Sequence, residues 1–349
     1  MKNLYDISWK VDEQTYRDDP ALSYSTLAKY ERSGFNGLST LFDKIDSPSL
    51  TFGSAVDALI TGGEKEFNDK FIVASFPAIS DTLESIVKDL FAEFHITHST
   101  LSSIPDIEII GKAANYNYQN NWKPETRAKV IKEKCADYYN LLFLAQDKTL
   151  LEDTVYSQVL SCVDALRTSD ATKWFFAPND LFDNTIERFY QPKFKATFNN
   201  VQYRCMMDLV VVDHKNKTIY PVDLKTSSHK EWDFPKSFLQ WNYQIQARLY
   251  YRILKDNLEE DNYFKDFKIE PYRFIVVNKE TLTPLVWKLN LTYKDGDISF
   301  INSSNERVVL RDPFTIGEEL NNYLKKNYAV PVGITIDGDN DLDSGIKNL

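Results

Sequence analysis

Two apolar runs separated by a short polar turn constrain this chain more than anything else in it. The first is Met206-Met207-Asp208-Leu209-Val210-Val211-Val212, the second is Tyr220-Pro221-Val222-Asp223-Leu224-Lys225, and Asp213 to Lys217 lies between them. Short β-branched runs bounded by turn formers read as neighbouring strands of a hairpin. A strand alternates faces with period two, so Asp223 and Lys225 point the same way while Leu224 is expected to point into the apolar interior. An acid and an ammonium then share one surface, and Asp208 on the adjoining strand adds a second carboxylate. Two carboxylates bind a hard cation such as Mg²⁺, which activates water and steadies a phosphate while a nearby lysine balances charge. The chemistry implied is phosphodiester hydrolysis. The Asp-x-Lys spacing alone has little weight, because Asp213-His214-Lys215 and Asp266-Phe267-Lys268 repeat it. Its weight comes from the acid-bearing apolar run before it and from Thr226-Ser227-Ser228 after it.

Around this hairpin the apolar period changes from helical to two at Thr185. Strands are expected near 185–195, 201–212, 218–225, 270–278 and 283–290. Between the third and fourth lies a helix at about 235–256, with Phe238, Trp241, Ile245, Leu249 and Ile253 as its apolar stripe. Upstream the pattern is helical. Residues 23–75 hold short helices, with Ser23 or Ser25 as N-cap of the first, a turn at Ser33-Gly34-Phe35, and Ser54 capping a helix that Gly62-Gly63 ends. Residues 80–175 add further helices, including 127–144 and 153–167, with a polar linker near 115–123. The fold class expected is α/β (α+β), a central mixed sheet with flanking helices. Three parts are drawn: a helical part over 1–180, the sheet core over 181–330, and an acidic flexible tail over 331–349, where Asp337, Asp339, Asp341 and Asp343 stand among too few apolar residues to pack.

The 349 residues, 43% of them hydrophobic and 14% aromatic, suffice for a sizeable core. No run approaches the roughly eighteen apolar residues a membrane span needs, and Met1-Lys2-Asn3-Leu4-Tyr5-Asp6 lacks the apolar segment of a signal peptide, so a cytoplasmic location is expected. Cys135, Cys162 and Cys205 are odd in number and widely spaced, which fits thiols in a reducing compartment. The net charge of −10 argues against indiscriminate nucleic-acid binding. Basic residues nevertheless recur near the hairpin: Arg188, Lys193, Lys195, Arg204, Lys225, Lys230, Lys236, Arg248 and Arg252. They form either a basic cleft or an ordinary mixed surface. No Gly-rich phosphate loop is present, which removes an ATP-driven helicase. His95 and His98 could share a helical face, but nothing nearby completes a metal site.

The order Gly53 to Asp57, Glu187, Asp208, Asp223-Leu224-Lys225 and Gln246-Ala247-Arg248-Leu249-Tyr250 resembles the PD-(D/E)XK nuclease superfamily. Within it the resemblance is to exonuclease VIII-like and phage recombination exonucleases, which Ser23-Tyr24-Ser25-Thr26-Leu27 and Phe52-Gly53-Ser54-Ala55-Val56-Asp57-Ala58-Leu59 also fit. It covers roughly residues 20–295, and its strength lies in motif order. The resemblance implies a restriction-endonuclease-like core with N-terminal helical additions. In it Asp208 and Asp223 are metal-binding acids, the Leu224 carbonyl is a further ligand and Lys225 is the catalytic lysine. Gln246 and Tyr250, four apart on one helical face, then stand beside the active site or the DNA strand; read from the residues alone they are a surface glutamine and a core-edge tyrosine. Many relatives carry histidine where this chain has Asp57, which is either a metal ligand or an ordinary helix-surface carboxylate. Glu187 either contacts the site from the preceding strand or pairs with Arg188 or Arg204 across the sheet.

The function implied is a Mg²⁺- or Mn²⁺-dependent deoxyribonuclease, an exonuclease processing double-stranded DNA ends in phage-type recombination or repair. The alternative is a catalytically weakened DNA-binding or assembly subunit of the same fold. The implied partners are DNA, a single-strand annealing protein and further copies of the chain in a ring, in the cytoplasm of a bacterial host if the chain is phage-encoded.

Overall fold

The computed structural model describes residues 1–42, 47–75, 79–145, 147–180 and 182–325. The acidic segment 331–349 lies outside the described residues. The chain forms two compact units, Met1–Ser47 with Asp164–Leu349, and Pro48–Val163.

The first unit holds a mixed sheet, as the alternating pattern implied. In spatial order its strands are Leu285–Lys288, Arg273–Asn278, Thr218–Ser227, Leu209–Asp213 and Ile186–Tyr190. Thr218–Ser227 is central; it runs parallel to Arg273–Asn278 and antiparallel to Leu209–Asp213. A short strand, Lys268–Ile269, pairs with its start. A parallel pair needs a crossover, and the chain between the two partners includes the helix Tyr243–Glu259. That helix buries Ile245, Leu249, Ile253, Leu254 and Leu258 in an apolar cluster shared with Val210, Val212, Phe274 and Val276 of the sheet. Leu4, Leu22, Leu27, Ala28 and Tyr30 join the same cluster. The first 47 residues therefore belong with the sheet, and a boundary at residue 180 does not describe the packing.

Three elements that look continuous in sequence are broken. Residues 185–195 and 201–212 each divide, because Gln191 takes a left-handed φ of 51° and Pro192 has no N–H to give to a ladder. Beyond the break, Lys193–Phe198 and Val201–Met206 form their own two-stranded sheet. The helix at 235–256 divides into Phe234–Gln240 and Tyr243–Glu259, with Asn242 between them at φ 55°, ψ 43°. Trp241 thereby leaves the apolar stripe and is 44% exposed, while Ile245, Leu249 and Ile253 stay buried. The helix Pro313–Leu324 closes against the two-stranded sheet through Gly317, where a Cβ would stand 2.2 Å from the Tyr203 hydroxyl.

The second unit is mainly helical. Asp81–Phe94, Asp106–Asn115 and Pro124–Ala145 pack around Ile86, Leu90, Ile109, Ile131 and Tyr139, and Phe71–Ala74 pairs in parallel with Thr149–Glu152. Asp57 lies on the helix Pro48–Thr61. Ser54 sits inside that helix and does not cap it, since the helical turn already begins at Pro48. The helix does end at the glycines, where Gly63 takes φ +67°, a conformation that costs a residue without Cβ little. No described helix is long and apolar enough to cross a membrane.

Candidate active site

The last ladder pair between the two hairpin strands is Leu209↔Val222. Asp208 and Asp223 are the next residues beyond that pair, and their carboxyl groups are hydrogen-bonded neighbours. The chain breaks away from the sheet at Met207-Asp208, with Gln191 N–H bonded to the Asp208 carbonyl at 3.2 Å and Met207 N–H to the Pro192 carbonyl at 3.1 Å. Asp208 therefore sits at a corner. Its Oδ2 accepts the Leu224 N–H at 2.8 Å, tying the corner to the central strand.

Asp223 and Lys225 do share a face, but that face is the inward one. Asp223 is 1% exposed, under the helix Tyr243–Glu259, and it is Leu224 on the opposite face that is only half-buried. The expectation that Leu224 points inward fails because this helix covers the other side of the strand. Asp223 Oδ2 lies 2.6 Å from Lys225 Nζ, Gln246 Nε2 donates to Asp223 Oδ1, and the Lys225 ammonium stands 4.8 Å from the centre of the Tyr243 ring. Burial pushes the Asp223 carboxyl above the ordinary carboxylate range, and Lys225, Asp208 and Gln246 offset that only in part. Burial opposes the Lys225 charge as well, but the Asp223 carboxylate outweighs it, aided by Tyr243 and Asp208, and holds the ammonium above the ordinary lysine range.

Gln246 thus belongs to the acid pair. Tyr250, one turn further on, is 7% exposed, and its phenol is pushed well above its usual range first by burial, then by Tyr16, Cys205 and both acids. It is a buried neighbour of the site. The motif order assigns no role to two further residues near the pair. Tyr24 lies in the opening motif, donates to the Trp241 carbonyl at 2.8 Å and stacks obliquely with Tyr243 at 6.1 Å. Tyr272 is fully buried; its phenol is raised by burial first and then by Asp223 and Asp208, and its hydroxyl has no hydrogen-bond partner. Gln246 Oε1 is likewise buried and unpartnered, because a carboxylate only accepts and so turns the NH₂ group towards itself.

Glu187 is placed elsewhere. It lies opposite Val212, at the far end of the ladder from Asp208, and its Oε2 is 2.7 Å from Nε2 of buried His214, whose Nδ1 is 3.0 Å from the Tyr263 hydroxyl. Its partner is neither Arg188 nor Arg204. Both arginines are buried and donate to backbone carbonyls, Arg188 to Trp174 and Phe175, Arg204 to Ala21 and Arg17. Arg248, also buried, bonds Asp312 Oδ2 at 2.9 Å and the Gly296 carbonyl at 2.6 Å. These three therefore cannot line a DNA cleft. Asp57 belongs to the second unit. His95 Nδ1 bonds the Phe91 carbonyl at 2.8 Å and His98 Nδ1 the Thr97 hydroxyl at 2.9 Å.

Among the described residues no group of three or more His, Cys, Asp or Glu side chains could hold a metal. A cation on Asp208 and Asp223 would rest on two carboxylates with carbonyl or water oxygens. That donor set is all oxygen and suits Mg²⁺, which ordinarily keeps several waters. The unpartnered Gln246 Oε1 and Tyr272 hydroxyl fit the same reading, since each buried polar atom left unbonded costs about 1–3 kcal/mol and the waters of a hydrated cation can bond them.

No family model matches this chain, and no curated protein matches it. Among solved structures it is similar to a candidate exonuclease from Eubacterium rectale, at 13% identity over 92% of this chain and 88% of that one, with a TM-score of 0.45.

Proposed function

We propose that this chain is a metal-dependent deoxyribonuclease. The observation that carries the reading is the meeting of the Asp208 and Asp223 carboxyl groups just beyond the last ladder pair, with Lys225 two residues on and in contact with the second acid. Asp208, Asp223 and the Leu224 carbonyl would hold Mg²⁺ or Mn²⁺. When bound, the cation supplies Lewis-acid activation of water and neutralises phosphate charge. The residues of the chain do the rest. Leu224 N–H fixes one Asp208 oxygen, Gln246 fixes Asp223, and Lys225, held as an ammonium, balances the negative charge that grows on the phosphoryl oxygens in the transition state. Asp223 must be ionised to bind a cation, so its raised pKa makes metal affinity fall at a higher pH than an ordinary carboxylate would.

The finer assignment rests on the motif order. It is an exonuclease acting on double-stranded DNA ends in phage-type recombination, in the cytoplasm, alongside a single-strand annealing protein and further copies of the chain in a ring. Asp57 as a third ligand has the same standing. Incubating linear and circular duplex DNA with the protein, with and without Mg²⁺, tests the reading. Loss of linear DNA only, abolished by chelation, is the expected result, and intact DNA of both forms refutes it. The second reading, a catalytically weakened binding or assembly subunit, rests on Asp57 standing where many members of the resembled group carry histidine. Calorimetric titration with Mn²⁺ separates the two, because the weakened subunit would bind no cation at millimolar concentrations.

A further inference from the structure

A solvent-exposed aromatic platform adjoins the buried acid pair. Trp241 stands 44% exposed at the break between the helices Phe234–Gln240 and Tyr243–Glu259. Its carbonyl accepts the Tyr24 hydroxyl at 2.8 Å and Arg32 Nη1 at 3.4 Å, and the Arg32 guanidinium, itself exposed, lies 5.3 Å from the centre of its ring. Tyr24 meets Tyr243, and Tyr243 lies against Lys225, so the backbone of Trp241 is joined to the catalytic lysine through two tyrosines. At the other end of the seven-residue helix Phe234–Gln240, Trp232 is 54% exposed with the Lys230 ammonium 5.1 Å from its ring. Two exposed indoles, each paired with a cation, thus stand at the two ends of one short helix on a protein whose net charge is −10. Packing does not require this exposure: Asn242 takes a left-handed conformation that turns Trp241 out of an otherwise apolar stripe.

We infer that Trp241 with Arg32 is a stacking platform for an unpaired nucleobase of a DNA strand at the site, and that Trp232 with Lys230 is a second such contact. The inference rests on the nuclease reading for its choice of ligand. Indole and guanidinium planes both stack on bases, and a cation beside the ring attracts the phosphate backbone. A base presents a face to an indole only where it is unpaired and unstacked, which selects single-stranded over duplex DNA. Stacking of this kind is tolerant of sequence.

The test measures binding of the full chain, in chelator, to a fluorescent oligothymidylate and to a strand of equal length built of abasic residues. The wild type should bind the base-bearing strand more tightly. Trp241→Ala should lose about five- to a hundred-and-fifty-fold on that strand and nothing on the abasic one, and Trp241→Phe should keep most of the affinity. Equal binding of oligothymidylate by wild type and Trp241→Ala overturns the inference, and so does an equal loss on both strands or no binding by the wild type. Mg²⁺-dependent degradation of linear duplex by the wild type is read separately: its absence sinks the nuclease reading, whereas unchanged strand binding by Trp241→Ala sinks only the platform.

Discussion

Replacing Lys225 by methionine keeps most of the stem that packs beneath the helix and removes the charge 2.6 Å from Asp223 Oδ2. Breaking a buried ion pair from one side costs about 3–5 kcal/mol. The Lys225 side chain retains 20% exposure while Asp223 has 1%, so the lower end applies, about 3 kcal/mol at about pH 8, or roughly 6–12 °C in Tm for a domain of this size. The sign with pH follows from Asp223. Its folded pKa already lies above the unfolded value because of burial, so its contribution is favourable below the unfolded pKa, about 3.9, and is lost as pH rises through the folded value. Without Lys225 the carboxyl loses its main opposing influence and its pKa rises further. The destabilisation should therefore be larger at about pH 8 than at about pH 5, because falling pH favours the neutral form of Asp223. Asp223→Asn combined with Lys225→Met removes both charges and should recover most of the loss, since paired deletion of a buried ion pair is often near neutral. Urea unfolding of the wild type and the two variants at both pH values measures this. In the same series Lys225→Met should still bind Mg²⁺ and fail to cleave, because the lysine acts mainly on charge in the transition state. A destabilisation by Lys225→Met that is equal at the two pH values would refute the coupling.

Asp208→Asn keeps an oxygen able to accept the Leu224 N–H, so it should fold like the wild type, within about 1 kcal/mol, while losing Mg²⁺ binding and cleavage; retained cleavage at limiting metal sinks the ligand assignment. Asp57→Ala should raise the Mg²⁺ concentration needed for cleavage, with excess metal partly restoring the rate, and Asp57→His should keep activity and shift preference towards Mn²⁺. Normal cleavage by Asp57→Ala at limiting Mg²⁺ reduces the site to two acids. Glu187→Gln should leave cleavage intact but cost about 1–3 kcal/mol in unfolding experiments through its bond to buried His214, and a cleavage defect without loss of stability would return Glu187 to the site.

Period, composition and turn chemistry are local, and they were legible in the chain itself. The pleat alone forces Asp223 and Lys225 onto one face, the valines of Leu209–Asp213 mark a strand buried on both sides, and Gln246 and Tyr250 fall on one helical face by spacing. Which face is covered is not local. That Asp223 lies inward under Tyr243–Glu259, and so has a raised carboxyl pKa, depends on a helix some twenty residues away. That Glu187 meets His214 depends on the pairing of Ile186–Tyr190 with Leu209–Asp213. Arg188, Arg204 and Arg248 look like DNA ligands in the sequence because charge is visible there, but burial against carbonyls is not. Trp241 reads as core by spacing until one residue, Asn242, adopts a positive φ and resets the phase of the helix. Faces and spacings come from the backbone geometry of each segment, whereas burial, pairing and pKa come from the partner that segment meets, and only the folded chain brings that partner into place.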